Sequence, residues 1–146
     1  MTTDSSFEVS YRVRFQDVDH AGIIFFARIL GYCHEALEDL QRQAGVPLEE
    51  FFFGRNLGAP LVDVQARFHQ PYRHGDVLHI QVEIASMGRS SMKTRYRCLS
   101  EDGALSAEIE IVQVFIAADT MEPTSIPDDI RTALQPWVIA DSEEHM

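Results

Sequence analysis

The segment from Gln16 to Gly45 limits the possible folds more than any other part of the chain. Its apolar residues recur at intervals of three and four, the spacing of one buried helical face; they are Ile23, Phe26, Ala27, Leu30, Cys33, Leu37, Leu40 and Ala44. Gly45, with Pro47 just beyond it, ends the pattern as helices commonly end. Further apolar residues fall on the other side of the first turns, namely Ile24, Phe25 and Ile29. We therefore predict one long helix whose first turns are buried on nearly all sides.

The rest of the chain supplies strands that can surround this helix. Apolar and polar residues alternate in five segments, with the apolar residues on one face of each strand; the segments are Phe7–Phe15, Leu61–His69, Val77–Met87, Ser91–Ser100 and Ala104–Ala118. Short turns join most of them, which favours antiparallel pairing. Two further segments predict a helical turn and a short closing helix; they are Pro47–Gly58 and Pro127–Leu134. The pattern predicts an α+β fold in which a five-stranded antiparallel sheet wraps around one long central helix.

The length of 146 residues predicts a single domain, 1–146, with an ordered core at 7–134 and flexible ends at 1–6 and 140–146. No apolar run approaches the ~20 residues of a membrane span. The N-terminal residues lack the basic and apolar regions of a secretory signal, so we expect a cytoplasmic protein. Its two cysteines, Cys33 and Cys98, are too few for a disulfide scaffold, and we expect buried, reduced thiols.

The charge balance argues against two classes of partner. A net charge of −11, from 23 acidic and 12 basic residues, disfavours binding to nucleic acid or to an anionic membrane. An anionic small molecule would need a local cluster of bases. The densest cluster is the segment Arg89–Arg97, which reads RSSMKTRYR.

A short acidic loop precedes the long helix and is the best candidate for chemistry. It places Asp17, Asp19 and His20 near a helix N-terminus, where unpaired backbone N–H groups point outward. Asp19 could cap the helix or act as a catalytic carboxylate. The simpler role for Asp17 is ordering the loop, and a lone His20 is more often structural than catalytic. Metal-site spacings, G-x-S-x-G and the P-loop are absent from the sequence, so we expect no metal or cofactor.

Four segments together resemble the hotdog-fold acyl-CoA thioesterases of the 4-hydroxybenzoyl-CoA type; they are Arg14–Phe26 (RFQDVDHAGIIFF), Gln70–Asp76 (QPYRHGD), Gly88–Ser91 (GRSS) and Ile126–Pro127. The resemblance spans nearly the whole chain. Within that family, two helix segments look like those of the 1,4-dihydroxy-2-naphthoyl-CoA hydrolases of phylloquinone and menaquinone synthesis; they are Phe25–Arg28 (FFAR) and Cys33–Ala36 (CHEA).

This resemblance implies a hotdog fold and hydrolysis of an acyl-CoA thioester. It implies that Asp19 is the nucleophile or general base, and that the backbone N–H of Phe26, at a helix start near Gly22, stabilises the oxyanion. Coenzyme A enters as part of the substrate, and its phosphates favour basic and hydroxyl partners; the candidates are Arg73, Arg89, Ser90, Ser91 and Lys93. The resemblance also implies a homo-oligomer, dimer or tetramer, with composite sites.

The likeness to the naphthoyl- and benzoyl-CoA hydrolases implies an aromatic acyl group. Aromatic residues near the helix start and the following connection could pack on its ring, although several of them must pack in the core around the helix; they are Phe25, Phe26, Phe51, Phe52, Phe53 and Tyr72. Two alternatives stay open at this point. The protein could be a short- or medium-chain fatty acyl-CoA thioesterase, or a module that binds acyl thioesters without cleaving them.

Overall fold

The structure, a computed structural model, describes residues 6–139, apart from the side chains of residues 51 and 52. Its helices and strands in chain order are β1 (Phe7–Arg12), α1 (Ile29–Gln43), α2 (Leu48–Gly54), β2 (Leu57–Gly58), β3 (Leu61–Phe68), β4 (Val77–Met87), β5 (Ser91–Leu99), β6 (Leu105–Val114), β7 (Ile116–Ala117), β8 (Glu122–Pro123) and α3 (Asp128–Leu134). Short 3₁₀ turns lie at Phe15–Asp17, Phe26–Arg28 and Gln135–Trp137.

The main body is a five-stranded antiparallel sheet with the order β1-β4-β5-β6-β3. The inward residues of two of its three inner strands, β4 and β5, are at most 2% exposed; they are Leu78, Ile80, Val82 and Ile84 on β4, and Met92, Thr94, Tyr96 and Cys98 on β5. These are the residues that the alternating pattern places on the inner face. The predicted α+β architecture, a five-stranded antiparallel sheet with one long helix, is confirmed.

Helix α1 closes the core against this sheet. Its buried residues fall at intervals of one, three and four, as one helical face requires; they are Ile29, Tyr32, Cys33, Ala36, Leu37, Leu40 and Gln41. Fully burying one side chain such as Leu40 stabilises the fold by about 1.5–3 kcal/mol. Both Cys33 and Cys98 are free and buried, as predicted. No helix within residues 6–139 is long and apolar enough to cross a bilayer.

The start of the long helix was predicted too early. Helix α1 begins at Ile29, after the 3₁₀ turn Phe26–Arg28, whereas Ile23 and Ile24 lie in the preceding loop. The Ile24 N–H donates to the Tyr72 carbonyl at 2.7 Å, and this pairing holds the segment extended instead of helical. Phe25 and Phe26 are 47% and 62% exposed, so the prediction that the first turns are buried on nearly all sides is also wrong.

The ends of two predicted strands also differ. The first strand ends at Arg12, and Phe15, predicted to face inward, is 76% exposed in a 3₁₀ turn. The last strand of the main sheet ends at Val114 instead of Ala118. The buried Phe115 follows, and the chain then enters a second sheet of order β2-β7-β8 that the sequence did not predict.

The two edges of the main sheet differ in how they are covered. Beyond the β1 edge, Val138 forms a bridge with Ile84, and Trp137 meets Phe7 edge to face at a centroid distance of 6.3 Å. Strand β3 forms the other edge, and all of its residues except the half-buried Val64 are exposed. Since unpaired strand edges with apolar side chains tend to associate, β3 is the edge where a partner strand is expected.

Candidate active site

The acidic loop folds back on itself as a small hairpin. Val18 forms a bridge with Ile24, the Asp19 N–H donates to the Ile23 carbonyl at 2.9 Å, and the Gly22 N–H donates to the Asp19 carbonyl at 2.9 Å. Gly22 has φ +80°, a left-handed conformation that glycine adopts without strain. Gly22 is thus the turn of this hairpin, and its predicted place at the helix start is wrong.

The Asp19 carboxylate lies on the exposed side of this hairpin. Its Oδ1 accepts one hydrogen bond, from the Ala21 N–H at 2.9 Å. Asp19 and the exposed His20 lie with Phe15, Gln16 and Val18 along an open depression of about 640 Å³. The hairpin therefore orients a carboxylate that stays accessible to a reactant.

Asp17 has different surroundings from Asp19. Its side chain is only 12% exposed, and Oδ2 accepts a hydrogen bond from the Tyr32 hydroxyl at 2.5 Å. Oδ1 lies 4.0 Å from Nε of Arg28, and the backbone carbonyl of Asp17 accepts the Phe25 N–H at 2.9 Å. These contacts fit the loop-ordering role that we favoured for Asp17.

Phe26 begins the turn that leads into α1. As the first residue of a helical segment, it has no acceptor for its N–H within that turn, and the N–H groups at a helix start carry a partial positive charge. The loop hydrogen bonds beside it are donated by Ile24, Phe25 and Arg28. The Phe26 N–H is therefore available to an external oxygen.

An apolar groove of about 250 Å³ lies beside this turn. Its lining is Ile23, Ile24, Phe26, Ile29, Phe68, His69, Gln70, Pro71 and Tyr72. The rings of Phe26 and Phe68 meet edge to face with centroids 6.2 Å apart. The groove joins the hairpin and the helix start, residues 23–29, to the end of β3 and the following turn, residues 68–72, so two segments that are distant in sequence form one wall.

Only part of the predicted aromatic set lies in this groove. Phe26 and Tyr72 line it, whereas Phe25 is exposed beside Phe26 and Phe53 is 87% exposed. The side chains of Phe51 and Phe52 lie outside the described part of the chain. Sequence reasoning missed Phe68, although the alternating pattern of β3 could have placed it at the end of an edge strand.

The predicted coenzyme A residues do not lie close together within one copy of the chain. Arg73 forms a bridge with Ile23 and so lies beside the acidic hairpin. Arg89, Ser90 and Ser91 form the turn after β4, whose 11 residues separate its two ends by about 33 Å. Lys93 points to the outer face of the sheet, with Nζ 3.9 Å from Oε1 of Glu110. Within one copy, only Arg73 is near Asp19.

Residues 13–134 match the sequence profile of the thioesterase-like superfamily, which covers most of the chain. The chain belongs to this family. Two curated relatives are the 1,4-dihydroxy-2-naphthoyl-CoA hydrolases of Thermosynechococcus vestitus and Nostoc punctiforme. The first is 32% identical over 90% of this chain and 88% of its own, and the second 31% identical over 86% and 84%.

Solved structures place this thioesterase-like chain in the hotdog fold. The 1,4-dihydroxy-2-naphthoyl-CoA thioesterase from Synechocystis superposes with a TM-score of 0.84 at 25% identity, covering 89% of this chain and 96% of its own. A gentisyl-coenzyme A thioesterase gives 0.77 at 24% identity, covering 88% and 99%, and shows the shared fold alone. The resemblance noted in the sequence is confirmed at the level of family and fold.

Proposed function

We propose that the protein hydrolyses acyl-CoA thioesters with an aromatic acyl group, such as 1,4-dihydroxy-2-naphthoyl-CoA. The observation that carries the proposal is that three features adjoin one another: the accessible N–H of Phe26 at the start of the helical turn, the apolar groove, and the hairpin that bears Asp19. The names of the relatives at about 30% identity support the same substrate class.

The reaction uses the two groups in complementary roles. The thioester carbonyl oxygen accepts the Phe26 N–H, which stabilises the negative charge that develops when the carbonyl carbon is attacked. Asp19 either attacks that carbon, forming an anhydride that water then hydrolyses, or takes a proton from the attacking water. On both routes the C–S bond breaks, and coenzyme A leaves as a thiol.

The groove supports the choice of an aromatic acyl group. Its aromatic side chains, Phe26, Phe68 and Tyr72, can pack on a flat ring, and such contacts add about 0.5–1.5 kcal/mol beyond area burial. The Phe26 N–H belongs to a residue that also lines the groove. A ring seated there would therefore bring its thioester carbonyl towards the oxyanion donor.

The working unit is a homodimer or a tetramer of such dimers, paired through β3. Phe68 ends β3 beside the Phe26 groove, whereas the other end pairs with Gln113, next to Val114, the partner of Ser91. Two-fold antiparallel pairing of β3 with a second copy brings the Arg89–Ser91 turn of one copy towards the hairpin of the other. This arrangement would bring Asp19 of one copy close to the coenzyme A candidates Arg89, Ser90 and Ser91 of the other copy.

Arg89, Ser90 and Ser91 then contact the phosphates and pantetheine of the substrate, with Arg73 beside the hairpin. Lys93, which lies on the outer face near Glu110, is the weakest of these candidates. We propose that no metal or other cofactor takes part, and the cytoplasmic location stays a prediction.

Release of free thiol from a panel of acyl-CoA esters, followed with a thiol-reactive dye, tests the proposal. We expect turnover of benzoyl- and dihydroxynaphthoyl-type esters that depends on Asp19. Faster turnover of octanoyl- and palmitoyl-CoA would favour a fatty acyl-CoA thioesterase. Saturable binding of the esters by calorimetry, without thiol release, would show a binding module and contradict the proposal.

A further inference from the structure

The Tyr32 hydroxyl connects three segments at the root of the acidic hairpin. It accepts a hydrogen bond from the Arg14 N–H at 3.0 Å and donates one to Asp17 Oδ2 at 2.5 Å, while its own backbone belongs to α1. The residue is 6% exposed. Burial, together with the hydrogen bond to Asp17, raises the pKa of Tyr32 to about 12, so the hydroxyl stays a donor at neutral pH.

Asp17, which receives this hydrogen bond, is tied to both proposed reacting groups. Its carbonyl accepts the Phe25 N–H, and Phe25 directly precedes the oxyanion donor Phe26. Val18, the next residue, pairs with Ile24 and leads to Asp19. A shift of Asp17 would therefore move the Asp19 carboxylate relative to the Phe26 N–H.

We propose that Tyr32 is a positioning residue for thioester hydrolysis, which acts through Asp17 to hold the acidic hairpin against the start of α1. The inference rests on the proposed function. Tyr32 lines a polar depression together with Asp17, Arg28 and Glu35. It is not among the described residues that line the apolar groove. Its effect on turnover is thus indirect, through the geometry of Asp19 and Phe26.

The chain contains a matched control for this contact. Tyr11 on β1 donates to Asp39 Oδ2 on α1 at 2.6 Å, and its ring meets that of Tyr32 at a centroid distance of 6.1 Å. The pair Tyr11–Asp39 has the same chemistry and joins β1 to α1. Its hydrogen bond does not involve the hairpin, so Tyr11→Phe removes an equivalent contact and leaves the proposed site intact.

The first test compares kcat and KM of the two tyrosine variants on the best aromatic ester. We expect Tyr32→Phe to lower kcat about tenfold with KM within twofold, because misplacing reacting groups slows the chemical step. Tyr11→Phe should leave both constants within twofold. Equal losses in the two variants, or a normal kcat in Tyr32→Phe, would overturn the inference.

A double-mutant cycle tests whether Tyr32 acts through Asp17. If it does, Tyr32→Phe combined with Asp17→Ala should have the kcat of Asp17→Ala alone, since the second change removes a contact already lost. Losses that multiply would show that Tyr32 affects turnover by another route, and would contradict the proposed path.

Hydrogen exchange separates this inference from the proposed function. We expect the amides of residues 17–26 to exchange at least fivefold faster in Tyr32→Phe, but not in Tyr11→Phe, because the hairpin opens more often. Unchanged exchange in Tyr32→Phe with active wild-type enzyme would refute the positioning role and leave the thioesterase assignment standing. If the wild-type protein does not hydrolyse the esters but residues 17–26 still exchange faster in Tyr32→Phe, only the proposed function is refuted.

Discussion

Replacing Asp19 with Asn is the sharpest test of the proposed site. The amide oxygen of Asn can still accept the Ala21 N–H that now binds Asp19 Oδ1, so the hairpin keeps its shape. The side chain is exposed, and we expect the free energy of unfolding to change by less than about 0.5 kcal/mol. The substitution removes the negative charge that either attacks the thioester or takes a proton from water.

The expected loss in kcat is ~10²-fold or more, about 2.7 kcal/mol in the activation barrier, with KM little changed. The assay is thiol release under saturating aromatic ester, with urea unfolding to verify stability. Asp17→Asn is the matched control, because an amide oxygen there can still accept the Tyr32 hydroxyl, and it should lower kcat much less. Near-normal turnover of Asp19→Asn, or the reverse ranking of the two variants, would refute the assignment.

Four further outcomes are expected. The kcat/KM for aromatic esters should exceed that for palmitoyl-CoA; a tenfold fatty-acyl preference, about 1.4 kcal/mol, would contradict the aromatic assignment. Light scattering at micromolar concentration should show at least a dimer, and a monomeric mass would contradict pairing through β3. Gly31→Ala should raise the free energy of unfolding in urea by about 0.5–1 kcal/mol, since a Cβ there meets no atom within 4 Å. Gly45→Ala should lower it by about 1–2 kcal/mol, because Gly45 has φ +88°. The opposite signs would show that these backbone positions are misplaced. Dialysis against EDTA should leave turnover unchanged, and its loss with recovery on metal addition would contradict a metal-free mechanism.

The periodic parts of the fold were predictable from the sequence because their cause is local. Alternation on β4 and β5 places residues such as Ile80 and Tyr96 in the core, as a strand must when one face is buried. The end of α1 near Gly45 and the start of α3 after Pro127 also follow from single-residue backbone preferences. The acidic loop was recognisable from its residue types and from the family resemblance.

The tertiary structure alone decided the geometry of the candidate site. The apolar spacing around Ile24 predicts helix, but the carbonyl of Tyr72, which is distant in sequence, holds that segment extended by a hydrogen bond. The contact of Tyr32 with Asp17 likewise gives the two acids of the loop different surroundings, since the Asp17 side chain is largely buried and Asp19 is exposed. Helical periodicity records which face of a segment is apolar, and it contains no information about hydrogen bonds to distant segments. The point where a helix begins, and the acid that is left accessible beside it, are therefore set only when those segments pack together.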